Sequence, residues 1–183
     1  MTSKEEPTVL QQPLLEGMCE DVATAVFSEC RTYRYLLLRI WDKQVPPLVL
    51  VMLNPSTADE LNNDPTVERC VRRARALGAG GLIVVNIFAY RSTDPEALRE
   101  VADPVGPEND HYILQAITGP RFAVICAWGK DGLINGRQDA VRTLIVGAGV
   151  QVMALGLNKD GTPTHPLYIA YERQPFAWEW AGN

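Results

Sequence analysis

Four short segments carry side chains able to bind or transform a small polar molecule, and each stands after an apolar run. Asn54-Pro55-Ser56 follows Leu48–Leu53 (LVLVML). Asn86 and Phe88 close Leu82–Phe88 (LIVVNIF), with Tyr90 and Arg91 just beyond. Trp128-Gly129 follows Phe122–Ala127 (FAVICA), and His165-Pro166 lies past Val150–Leu155 (VQVMAL) and a polar loop. A side-chain amide offers a donor beside an acceptor, the complement of an imide or amide edge. A neutral imidazole donates to an oxygen that gains charge during a reaction. Aromatic rings stack on flat heterocycles, and arginines pair with anions.

Each residue also has a structural alternative. Asn-Pro starts turns, so the Asn54 side chain has local backbone within reach. A buried amide inside LIVVNIF needs partners at both ends, in the sheet or in a ligand. His165 is either a packing donor before a rigid proline or a group facing the reaction. His111, between Asp110 and Tyr112 on a helical stretch, reads as a surface residue. Arg69, Arg72 and Arg73 form either a solvated helix face or, with Arg91, a local anion site. Asp59, Glu60 and Asp64, with Asn62 and Asn63, could hold a hard cation, but Asp64 already suits a helix cap. No metal site and no cofactor is therefore expected, and Gly78–Gly81 does not match a phosphate loop, since a strand follows it.

The elements that position these residues can be read from hydrophobic rhythm. Residues 1–13 are polar with two prolines, an expected flexible N-terminal arm; residues 14–183 form a single α/β domain. Leu14, Leu15, Met18, Val22, Val26 and Phe27 have roughly helical spacing over 14–28. Thr32–Trp41 reads as a strand, the proline turn after it as the bend of an antiparallel hairpin, and Leu48–Leu53 as its buried partner. Asp64-Pro65 opens a helix closed by Gly78, its apolar stripe being Val67, Cys70, Val71, Ala74 and Leu77. Helices are also expected from Asp94-Pro95, over Pro107–Ile117 and over Gln138–Val146. Four continuous apolar strands with helices between them predict a three-layer α/β/α fold, its four-stranded central sheet mainly parallel, preceded by the hairpin. Phe176–Trp180 is an aromatic tail expected to dock on the body. Ligands in such sheets gather beyond the carboxyl ends of the strands, where all four segments fall.

Composition narrows the partners. Hydrophobic residues make up 46% and charged residues 21%, enough apolar content for a folded core. Seventeen Lys and Arg against 22 Asp and Glu leave a net charge of −5, so nucleic acid gains no general attraction and needs a local patch. No apolar run is long enough to span a membrane, and no secretory signal opens the chain. Cys19, Cys30, Cys70 and Cys126 form no CxxC pair and read as reduced, buried thiols of a cytoplasmic protein.

In order and spacing, the four segments resemble the uracil-DNA glycosylase superfamily over about residues 48–170. LVLVMLNPS is similar to its Asp-Pro or Asn-Pro motif after the first central strand. LIVVNIF resembles a second strand ending in a base-reading Asn, and NIFAYRSTDPEAL a stretch running through Arg and Pro into a helix. Ala127-Trp128-Gly129 matches the end of the third strand, and His165-Pro166 the start of the final motif. Asn54 stands where some branches use a catalytic Asp, and Leu167 where the family has Ser. The strings MLNPSTAD, NDPTVERC, DPVGPEND and HPLY also resemble a bacterial and phage family known only as a domain of unknown function.

The resemblance implies a protein that binds a nucleobase, nucleotide or nucleic acid. Breaking a base–sugar bond leaves negative charge on the base, which His165 would stabilise while Asn54 positions water. Asn86 would read the base edge, with Pro55, Ser56, Phe88, Tyr90, Arg91, Trp128 and Pro166 completing the substrate site. A noncatalytic nucleotide or nucleic-acid binding module on the same scaffold is the alternative.

Overall fold

The computed structural model describes residues 21–180, whose rhythm changes from β-hairpin to α/β alternation. The expected arm at 1–13 and residues 14–20 of the expected first helix lie outside the described residues. Within them, that helix is corrected: β1 (Val22–Phe27) is a strand. Its β-branched Val22 and Val26, an even number of residues apart, share one sheet face and pack on the core.

The second strand, β2 (Arg34–Ile40), pairs antiparallel with β1, Val22 opposite Ile40. The hairpin therefore joins β1 to β2, not β2 to β3 (Leu48–Met52) as the proline turn suggested. What lies between β2 and β3 is β4 (Gly81–Asn86), antiparallel to β2 and parallel to β3. Gly80 admits this insertion. The Trp41 and Asp42 amides both donate to its carbonyl. A Cβ there would stand 2.1 Å from the Val45 carbonyl oxygen, so no larger residue fits.

Between β3 and β4 runs α1 (Pro65–Ala76), with Asp64 as its cap: Oδ1 accepts from the Val67 amide at 2.8 Å. After β4 come a short α2 (Ala97–Glu100) and α3 (Asn109–Thr118). Then follow β5 (Ala123–Cys126), α4 (Arg137–Gly147), β6 (Met153–Ala154) and β7 (Phe176–Ala177). Among the described residues the sheet has seven strands in the order β1-β2-β4-β3-β5-β6-β7, which corrects the expected four. Its middle, β4-β3-β5-β6, is parallel throughout.

Strand alternation divides the core in two. Val49, Val51, Val85 and Cys126 face α3 and α4, whose Ile113, Ile117, Val141 and Ile145 cover them. Leu48, Leu50, Val84 and Ile125 face α1, covered by Val67, Cys70 and Ala74. The loop after β3 thus leaves toward one face and those after β4 and β5 toward the other, which opens a crevice at the carboxyl ends of the strands. The aromatic tail docks as expected: β7 pairs antiparallel with β6, and Trp178 stacks edge-on to Trp128 at 5.6 Å. Cys70 and Cys126 are buried thiols, but Cys30 is exposed. Its hydrogen bonds with Ser28 and Thr32 lower the thiol pKa to about 7. Among the described residues no helix is long and apolar enough to cross a membrane.

Candidate functional site

A cavity of about 420 Å³ occupies the crevice, a size suited to a small organic molecule. Asn54 and Ser56 reach it from the end of β3, Asn86 from β4, Trp128 from the end of β5, and His165 from the loop past β6. The side chains singled out in three separate segments, Asn54, Asn86 and His165, therefore line one site.

Asn86 is buried and has the parity of Leu82 and Val84, so it points toward the α1 face. Its Oδ1 accepts from Arg34 Nη2 at 3.4 Å, while Nδ2 has no partner among the described residues. The strand end is braced from behind. Asn109 Nδ2 donates to the Asn86 and Ile87 carbonyls at 2.9 and 3.0 Å, and Arg137 Nε donates to Ile87 at 2.6 Å while its Nη2 pairs with Asp110. Asn54 is tied down differently: Nδ2 donates to the carbonyls of Pro55 (3.2 Å) and Ser92 (2.9 Å), which leaves Oδ1 as its remaining polar atom.

His165 Nδ1 accepts from the Leu167 amide at 3.4 Å, so in the neutral ring the proton sits on Nε2. Burial lowers its pKa and Asp64 opposes that shift, leaving a neutral donor at pH 7. The α1 arginines hold this loop. Arg69 donates to the Pro166 and Ile169 carbonyls, and Arg73 to the carbonyls of Ile169, Ala170, Tyr171 and Arg173. Arg72 lies over the Tyr171 ring at 5.7 Å. Arg69 and Arg73, expected to meet an anion, thus clamp main chain, and Arg73 is buried where the apolar stripe had left it off.

Other expected binding residues are dispersed. Phe88 is fully buried in the core and offers no stacking face. Pro55 and Pro166 are buried turn residues whose carbonyls accept hydrogen bonds. The Trp128 ring packs against both Trp178 and Trp180, which lie 4.2 Å apart beside it, and its Nε1 donates to Gln138 at 2.8 Å. Tyr90 and Arg91 line a second cavity of about 440 Å³ that shares Ser56, Ser92 and Thr93 with the first.

Two residues of the cavity lining were not expected there: Arg34, and Asp64, which was weighed only as a helix cap or a cation ligand. Arg34 is 2% exposed, donates Nη1 to the Ala58 carbonyl, and is pulled down to about 10 by burial. Its signal in the sequence was a charge at the head of the largely apolar strand RYLLLRI. Asp64 lines the cavity as well as capping α1, and its carboxylate works against the burial of both Arg34 and His165. Among the described residues no three His, Cys, Asp or Glu side chains gather as a metal site.

The cavity thus presents donors on Asn86 and His165, an acceptor on Asn54 and a carboxylate on Asp64. No curated protein and no solved structure matches the chain. A family model does match, over residues 34–167, a span that runs from Arg34 past His165. The chain belongs to the family described as "Protein of unknown function (DUF1643)".

Proposed function

We propose that the cavity binds a nucleobase, free or as part of a nucleotide or nucleic acid, and, where the base carries its sugar, hydrolyses the N-glycosidic bond between them. The observation that carries this reading is the unpartnered Nδ2 of buried Asn86 at the cavity wall. A buried donor without an acceptor costs about 1–3 kcal/mol, and a ligand carbonyl removes that cost. Asn86 and His165, two donors lining the same cavity, suit the carbonyls of a base. The order of motifs resembling the uracil-DNA glycosylases supports the same substrate class.

In the reaction, water attacks the anomeric carbon as the carbon–nitrogen bond breaks, and the electron pair leaves with the base. The neutral Nε2–H of His165 stabilises the base oxygen that gains charge. Asn54 Oδ1 holds the water, and the Asp64 carboxylate takes its proton. Asn54 cannot supply a carboxylate, so the base role falls to Asp64.

Incubation with DNA containing uracil, hypoxanthine or xanthine, and with the free nucleosides and nucleotides, tests both parts. Released base that disappears in Asp64→Asn supports hydrolysis. Binding without release supports the noncatalytic module, a reading favoured by the commitment of Asn54 Nδ2 to two loop carbonyls. Neither binding nor release overturns both.

A further inference from the structure

The second cavity differs in character from the first. Its eight lining residues include Arg31, Arg91 and five Ser or Thr, and none is acidic. In a chain of net charge −5 such a lining is a local exception, and hydroxyls beside guanidinium groups are the partners of a phosphate ester.

The two arginines are held but unequally neutralised. Both lie over the Phe27 ring, at 3.9 Å for Arg31 and 4.9 Å for Arg91. Arg31 is paired with Glu60 through two bonds of 2.7 and 3.0 Å. Arg91 donates Nη1 to the Arg31 carbonyl, its Nε is buried without a partner, and it makes no ion pair among the described residues. A positioned cation without a counterion therefore sits beside hydroxyl side chains.

The cavities share the wall formed by Ser56, Ser92 and Thr93, on the two loops that Asn54 ties together. We propose that the second cavity is a phosphate subsite, with Arg91 as its anchor, for the molecule whose base enters the first. This rests on the base-binding reading and narrows it: the substrate is a phosphate ester, not a free base or an unphosphorylated nucleoside.

Calorimetric titration of the full chain at low salt tests it. The probes are inorganic phosphate, the common nucleosides with inosine and xanthosine, their 5′-monophosphates, and a short single-stranded oligonucleotide. A monophosphate is expected to bind at least about tenfold tighter than its nucleoside, and that advantage to fall below about twofold in Arg91→Gln. Thr57→Glu, which places a carboxylate in the lining from an exposed position, is expected to abolish the advantage too and guards against misfolding of the first variant. Equal affinity for nucleoside and monophosphate, or an advantage that survives both substitutions, overturns the subsite and leaves base binding standing. Phosphate binding that is lost in Arg91→Gln, with no nucleoside binding at any concentration, keeps the subsite and overturns the base reading. Both phosphate sources support the subsite: tighter, salt-sensitive binding of the oligonucleotide assigns it to a polymer backbone, and preference for the monophosphate to a free nucleotide.

Discussion

Arg34 Nη2 donates to Asn86 Oδ1, and this bond fixes which end of the amide remains for a ligand. Rotating the amide would set two donors against each other, so the guanidinium keeps the oxygen on its side and leaves Nδ2 for an acceptor. An arginine on β2 thereby selects what a residue on β4 reads.

Asn86→Asp tests this relation. The carboxylate would gain a charged bond from Arg34, so the fold should survive, but an acceptor would replace the donor at the cavity wall. Ligand affinity is expected to fall by about tenfold to a hundredfold, the usual discrimination of a base-edge contact, with little change in Tm. Unchanged affinity in titrations of the folded variant removes Asn86 from base recognition.

Asp64 has two roles that separate by substitution. Asp64→Asn keeps an oxygen for the Val67 amide and should melt close to the wild type, whereas Asp64→Ala loses the cap and about 1 kcal/mol. Base release should vanish in both variants. Release at the wild-type rate in Asp64→Asn removes the carboxylate from the chemistry.

Much of this arrangement was legible because buried parallel strands read as continuous apolar runs, and the polar groups after them fall on one rim. That logic located Asn54, Asn86 and His165 without long-range information. It failed where a residue's meaning depends on distant chain. Nothing local separates a helix cap facing solvent from one facing a cavity, so Asp64 read as a cap, with a cation ligand as its other role, and not as a group facing a substrate. The insertion of β4 between β2 and β3 depends on Gly80 meeting a turn more than thirty residues earlier, and chain order favoured a simple hairpin. Val22 and Val26 fit a helical spacing as well as a strand, and pairing with β2 decided between them.

The neutral state of His165 has a thermodynamic signature. Its folded pKa lies below the ordinary 6.5, chiefly because of burial, so the unfolded chain binds the proton more readily. Its contribution to stability is therefore present above about pH 6.5 and is lost as pH falls toward the folded value. Thermal melts at pH 7.5 and 5.5 should show a larger loss for the wild type than for His165→Gln. Equal losses indicate that the ring titrates as in the unfolded chain, and the neutral-donor role fails with it.

The docked tail supports the site from the far side of the sheet. Trp178 is 7% exposed, its amide donates to the Val152 carbonyl at 3.0 Å, and its ring meets Trp128 and Trp180. Trp128 borders the cavity, and its indole is held by this packing and by Gln138. Trp178→Ala should remove about 3 kcal/mol and roughly 10 °C of Tm, and release the Trp128 ring enough to weaken ligand binding in the folded fraction. Phe176→Ala, at an exposed position of β7, should change stability by less than about 0.5 kcal/mol. If both variants melt alike, the tail rests on the surface without bracing the core. If Trp178→Ala melts early but binds as the wild type does below its Tm, the aromatic cluster serves stability alone.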